Sequence, residues 1–216
     1  MTDAATRLVD ALAADTDDAD DSMTRILDAA RDQFALFGVR RSSIDDIAKR
    51  ARLSRNTVFR RLGTKDELVS AVAQRELRRV IASVGEVAAG ADGVVDGVAR
   101  AFSATVIQFR TNPLFIGVVS NHPDEILTLS TMGAGPLLQQ AVDYVTVTLS
   151  ADQARGKIPP EINVAGAAEI IVRTLHSIVL TPHVERQLHT EQQLYAFAAE
   201  QLAALLGVRP TGPIGD

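Results

Sequence analysis

Between Gly38 and Thr64 the chain carries start and stop signals for two helices packed into a short span. Ser42 and Ser43 each stand three residues before an aspartate, a spacing at which a capping hydroxyl and an acidic side chain satisfy each other's backbone donors. Ser54 offers the next N-cap and Gly63 the next stop. Thr64 then opens a further helix with Asp66 and Glu67 in its first turn, where the helix dipole favours acid. Helices of about two turns do not persist alone in water. They need longer helices packed on either side, and this punctuation therefore points to a helical cluster.

The flanks supply those helices. From a Ser22 cap, Ile26, Ala29, Ala30, Phe34 and Phe37 recur at three and four spacing, and Gly38 ends the helix in a left-handed conformation. Ile44, Ile47, Ala48 and Ala51 give the second helix a narrow apolar stripe, and Val58 and Leu62 give the third its inward face. The fourth runs to about Ser83, ending near Gly85. Residues 93–206 read as a helical bundle broken at "NP", "NHP", "GAG", "RGKIPP" and "TPH". The string "YVTVTL" has strand-like composition, but its neighbours "GPLLQQAVD" keep it helical. The expected fold is all-α, an N-terminal three-helix helix-turn-helix domain plus a C-terminal helical bundle, about nine helices in total. The expected divisions are an acidic, flexible arm at 1–21, the helix-turn-helix domain at 22–68, the larger helical domain at 69–206 and a disordered tail at 207–216.

Charge points to a partner. The chain carries a formal net charge of −5, yet residues 22–80 hold 14 Lys and Arg against 7 Asp and Glu. A basic block inside an acidic protein is the footprint of a polyanion. It is densest in "LSRNTVFRRLGTK", residues 53–65, which contains no acid at all. In a helix-turn-helix the second short helix lies in the major groove with its first turn at the base edges. With Val58 and Leu62 inward, Asn56, Thr57, Arg60 and Arg61 fan across the outside and Arg55 stands at the N-terminal end. Double-stranded DNA is thus the expected partner. The chain has no cysteine, no secretory signal pattern and no apolar run long enough to span a membrane, so a cytoplasmic protein without a membrane partner is expected.

The stretch "ILDAARDQFALFGVRRSSIDDIAKRARLSRNTVFRRLGTKDELVSAV" resembles the N-terminal DNA-binding domain of the TetR family of transcriptional regulators, over roughly residues 22–70. The aromatic-rich first helix ending in Gly38, the Ser42–Ser43 pair, "IDDIA", "LSRNTVFRRL" and Lys65 to Leu68 carry the likeness. Departures from the family pattern are Arg52 and Asn56 where glycine is common, Phe59 for tyrosine, Arg61 for histidine and Leu62 for phenylalanine. The resemblance implies a ligand-responsive regulator, a repressor in the family's commoner mode. Such a protein binds a palindromic operator as a homodimer and is released by a small effector.

On this reading Arg55, Asn56 and Arg60 are the base-reading candidates. For each an alternative stands: a phosphate contact for Arg55, help in starting the helix for Asn56, a backbone clamp for Arg60. Ser42, Ser43, Thr57, Phe59, Arg61 and Lys65 are assigned to the DNA backbone, and Arg40 and Arg41 to long-range attraction. The resemblance also implies an effector-binding and dimerisation role for 69–206. Phe102, Phe109, Met132, Tyr144 and His176 are candidates to line an apolar pocket for a small, largely apolar effector. The dimer interface is expected on 161–180 and 191–206. One stripe there is Val164, Ala168, Ile171, Leu175 and Ile178; the other is Leu194, Phe197, Ala198, Leu202 and Leu205. Core packing is the competing role for all of these. No nucleophile–base pair, phosphate loop or metal-ligand spacing is present, and neither catalysis nor a cofactor is expected. The runner-up is a helical ligand-binding or scaffold protein that does not use DNA.

Overall fold

A computed structural model describes residues 21–121, 133–181 and 188–208. The arm at 1–20, the tail beyond Val208 and the pocket candidate Met132 lie outside the described residues. Among those described there are nine α-helices and no strand. They are α1 (Asp21–Arg41), α2 (Ile44–Ala51), α3 (Arg55–Leu62), α4 (Lys65–Ala89), α5 (Val94–Thr111), α6 (Pro113–Asn121), α7 (Gly135–Ala154), α8 (Val164–Leu180) and α9 (Glu191–Phe197). The last continues as a π turn, Ala198–Leu202, and a 3-10 turn, Ala203–Leu206. "YVTVTL" lies inside α7, as its neighbours require.

Two compact units divide the chain, and the expected 68/69 boundary falls inside α4, which runs on unbroken. The first unit contains α1 to α3, α4 to Arg79, and α6. Its core is the inward faces of three helices meeting: Ile26, Ala30 and Phe34 of α1, Ile47 and Ala48 of α2, and Val58 of α3, closed by Leu68 and Val72 of α4. Phe37, expected with them, is exposed because the α1 helix breaks at the next residue. Gly38 does take a positive φ of 74°, but its ψ of 165° is extended rather than left-handed helical, so the chain swings away instead of closing a C-cap. Helix α6 begins at Asn112–Pro113, where the Asn112 side chain accepts from the Leu114 N–H. It packs on α1 so closely that a Cβ on Gly117 would stand 2.2 Å from the Ala35 carbonyl oxygen.

In the second unit the core is built from Phe102 and Val106 of α5, Leu149 of α7, Ala168 and Ile171 of α8, and Leu194, Leu202 and Leu206 of the last helix. Helix α4 passes the expected stop near Gly85 and ends at Ala89. A mid-helix glycine costs about 1 kcal/mol. Here its bare backbone lies beside the Tyr144 hydroxyl of α7, which a Cβ would approach to 3.2 Å.

Candidate nucleic-acid interface

Helix α2 is fixed at both ends. Ser43 caps α2: its hydroxyl accepts from the Asp46 N–H at 3.1 Å, and the Asp46 carboxylate accepts from the Ser43 N–H at 3.2 Å and from the hydroxyl. These bonds, the hydroxyl's first, hold the Asp46 carboxyl below the usual carboxylate range. At the other end Arg52 adopts φ 56° and ψ 43°, its N–H reaching the Lys49 carbonyl while the Leu53 N–H reaches Ala48. This paired arrangement satisfies the last carbonyls of α2 and normally employs glycine. The carbonyls of Ala51 and Arg52 are taken by the Arg25 guanidinium of α1, at 2.6 and 3.2 Å. Arg50 donates to the Gln33 side chain of α1 at 3.1 Å.

Helix α3 is seated on the core by its inner face. Val58 is fully buried and Leu62 packs against the same core. Ser54 accepts from the Thr57 N–H at 3.1 Å, and its hydroxyl also pairs with that of Thr57. Gly63 ends the helix, its N–H bonded to the Phe59 carbonyl. Arg55, Asn56, Phe59, Arg60 and Arg61 are all exposed, and the Phe59 ring is 58% open to solvent. The structure thus brings every base-reading candidate onto one surface. Arg55 is ion-paired to Asp45 across the turn, 3.2 Å from Nη1 to Oδ2. Lys65 sits beside this surface and donates to the Arg40 carbonyl at 3.1 Å. Thr64 and Glu67 cap α4 reciprocally, the bond from the Thr64 N–H and then that from its hydroxyl lowering the Glu67 pKa.

Ser42 and Ser43 separate. Ser43 is exposed at the start of α2, but Ser42 is 2% exposed and donates its hydroxyl to the Gly38 carbonyl at 2.6 Å. A hydroxyl spent on the backbone inside the fold has nothing left for a phosphate, so Ser42 serves the α1–α2 corner. The basic block divides too. Arg75 and Arg79 of α4 pair with Asp28 of α1, and Arg31 of α1 pairs with Glu76 of α4, which lock the two helices together; Arg79 also pairs with Glu76 within α4. Burial lowers the Arg75 guanidinium pKa, as expected for a cation withdrawn from water. Arg55, Arg60 and Arg61 of α3 stand exposed instead, Arg55 paired with Asp45.

Two short capped helices, the second presenting an acid-free cationic face from a rigid three-helix base, match a known domain. Residues 26–72 fit the family described as "Bacterial regulatory proteins, tetR family". Residues 26–72 are thus similar to a TetR-family helix-turn-helix domain. The HTH-type transcriptional repressor Rv3405c of Mycobacterium tuberculosis H37Rv is 53% identical over 47 residues, and HTH-type transcriptional regulator Mb3439c of Mycobacterium bovis matches to the same degree. That stretch is 22% of this chain, and it spans a quarter of the length of those curated relatives. The TetR fold extends beyond the matched domain. The TetR family repressor AlkX from Dietzia sp. superposes with a TM-score of 0.64 at 20% identity, over 85% of this chain and 95% of that one. SmeT, the repressor of a Stenotrophomonas maltophilia multidrug efflux pump, does so with 0.61 at 20% identity, over 91% and 98%.

Beyond the N-terminal unit, half of the residues in the stripes expected at a dimer interface belong to the subunit's own core. Ala168, Ile171, Leu194, Ala198 and Leu202 are buried within the single chain, because α8 and the last helix turn these faces toward the rest of their unit. They have no surface left to offer a second copy. Val164, Leu175, Ile178, Phe197 and Leu205 are half-buried, and Ile170, which the stripe missed, is exposed. Of the pocket candidates, Phe102 is core, packed on Phe197 with ring centroids 6.0 Å apart. Phe109, Tyr144 and His176 are half-buried, and burial raises the Tyr144 pKa. Sequence reasoning passed over Arg25, Gln33 and Asp45, whose roles depend on partners at least ten residues away that no local pattern announces. Among the described residues no helix is long and apolar enough to cross a membrane.

Proposed function

We propose that this chain is a transcriptional regulator, acting as a repressor, that binds a palindromic operator as a homodimer and is released by a small, largely apolar effector. The observation that carries the reading is the outer face of α3, which bears no acidic residue of its own, is seated on the core through Val58 and Leu62, and presents Arg55, Asn56, Phe59, Arg60 and Arg61 to solvent. An exposed cationic face of this kind suits the major groove, where arginine forks onto guanine and asparagine onto adenine. Arg55, Asn56 and Arg60 are assigned to base edges. Ser43, Thr57, Phe59, Arg61 and Lys65 are assigned to the DNA backbone.

One short helix reads too few base pairs to find a site in a genome, so two copies reading half-sites about one helical turn apart are required. Residues 22–68 take the DNA-reading role and 69–206 the effector and dimer roles. The remaining surface for self-association comprises Val164, Ile170, Leu175, Ile178, Phe197 and Leu205. The effector site is assigned to the helical unit holding Phe109, Tyr144 and His176; the stearoyl-CoA bound by FadR of Bacillus subtilis is an apolar-chain ligand of that general kind. An operator on chromosomal DNA places the protein in the cytoplasm, with no enzymatic step in its action.

Selection of bound sequences from random duplex DNA by the full chain tests this directly. The expected result is enrichment of an inverted repeat. A protein that enriches nothing at low ionic strength would instead be a ligand-binding or scaffold protein on the same fold.

A further inference from the structure

The ion pair between Arg55 and Asp45 joins the first turn of α3 to the first turn of α2, with both side chains more than half exposed. It is not a structural necessity of either helix. Asp46 already serves as the capping partner of α2, and Ser54 caps α3. Nor does Asp45 answer a buried charge, since Arg55 is 67% exposed. A carboxylate on a face that meets phosphates weakens attraction to every duplex alike. Its presence there is unfavourable for affinity, so any benefit must lie in geometry.

We infer that Asp45 is a specificity-determining positioning residue for Arg55. The hydrogen bond uses Nη1 alone, at 3.2 Å, and leaves Nε and Nη2 as a parallel donor pair. That is the edge able to bond O6 and N7 of one guanine together. An arginine left loose on its flexible stem settles on the nearest phosphate, where it gains affinity without reading sequence. Asp45 favours the base-directed orientation of the side chain, and an exposed pair of this kind biases it about two- to fivefold. The aspartate thus trades total affinity for discrimination.

The inference rests on the DNA-reading role proposed above, and the test separates the two. Random-duplex selection is run with the full-length wild type, Asp45→Asn, Arg55→Ala and the double variant, alongside binding to a fixed unselected duplex across salt concentrations. Wild type is expected to enrich a guanine at one position of each half-site. D45N is expected to lower that enrichment about two- to fivefold, while binding the unselected duplex as tightly or more tightly. R55A abolishes the preference, and adding D45N to it changes no position further. A helix-dipole role for Asp45 would alter melting and leave base preference alone. Equal guanine enrichment by wild type and D45N overturns the inference and leaves the DNA-reading role standing. So does an effect of D45N that persists in the R55A background, which would make Asp45 a base contact in its own right. A wild type that enriches no sequence removes both.

Discussion

Replacing Arg52 with glycine is expected to stabilise the protein while removing a charge. Arg52 is the one non-glycine residue among those described with a positive φ, 56°, in a corner that ordinarily takes glycine. For a residue with a Cβ, left-handed backbone costs about 1–2 kcal/mol. Glycine relieves this but brings greater freedom to the unfolded chain, which offsets about 0.4–1 kcal/mol. The contacts at this corner are made by backbone: the Arg52 N–H to Lys49, and the Arg52 carbonyl to Arg25. Glycine keeps both. The net gain lies between about 0 and 1.6 kcal/mol and centres on about 0.8, or roughly 2–3 °C in melting midpoint for a chain of this length. Arg52→Ala removes the same charge and keeps the strained backbone, so it should melt within about 0.5 kcal/mol of wild type. Thermal unfolding of all three, followed by far-UV circular dichroism, decides the matter. An R52G variant melting no higher than R52A would show that the left-handed residue carries no recoverable strain.

Gly117→Ala is expected to destabilise by about 1–3 kcal/mol, because the new Cβ would collide with the Ala35 backbone rather than a movable side chain; the same melting assay reads it. Arg55→Ala should relax preference at one position of each half-site, by about 1–3 kcal/mol in competition binding. Lys65→Ala should weaken binding to all duplexes alike and reduce the salt slope by about 1, and a change in preferred sequence would refute its assignment to the backbone. The caps of α2 and α4 make stability pH-dependent. Asp46 and Glu67 titrate below their usual range when folded, so their contribution is full above the unfolded carboxylate value and is lost as pH falls through the folded one. In NMR titrations Ser43→Ala should move the Asp46 midpoint back up, and leave that of Glu67 in place.

The helices and caps of the N-terminal unit were legible because their signals are local. Ser43 with Asp46, Ser54 with Thr57 and Thr64 with Glu67 each act within three residues. The helical period of Ile26, Ala30 and Phe34 likewise names a buried face without knowledge of what covers it. The failures have a common cause. Ser42 and Ser43 are chemically identical neighbours, and only the course of the chain at Gly38 decides which turns inward. On α8 and the last helix an apolar stripe announces burial but not the partner, so Ala168 and Leu194 could not be told from interface residues. Gly85 reads as a stop because glycine weakens any helix, yet the neighbouring Tyr144 belongs to a distant segment.

The amino-acid order alone determined that this chain is helical, that a cationic segment near residue 57 faces outward, and that the expected partner for that segment is a polyanion. Those properties follow from dihedral preferences, capping and charge, which operate over a few residues. Tertiary structure decided which cations serve the fold, as Arg25, Arg31 and Arg75 do, and which stay on the exposed face, as Arg55 and Arg60 do. It also set Asp45 against Arg55. Ion pairs and carbonyl clamps join residues ten to fifty positions apart, and only the packing of helices brings such groups within hydrogen-bonding reach.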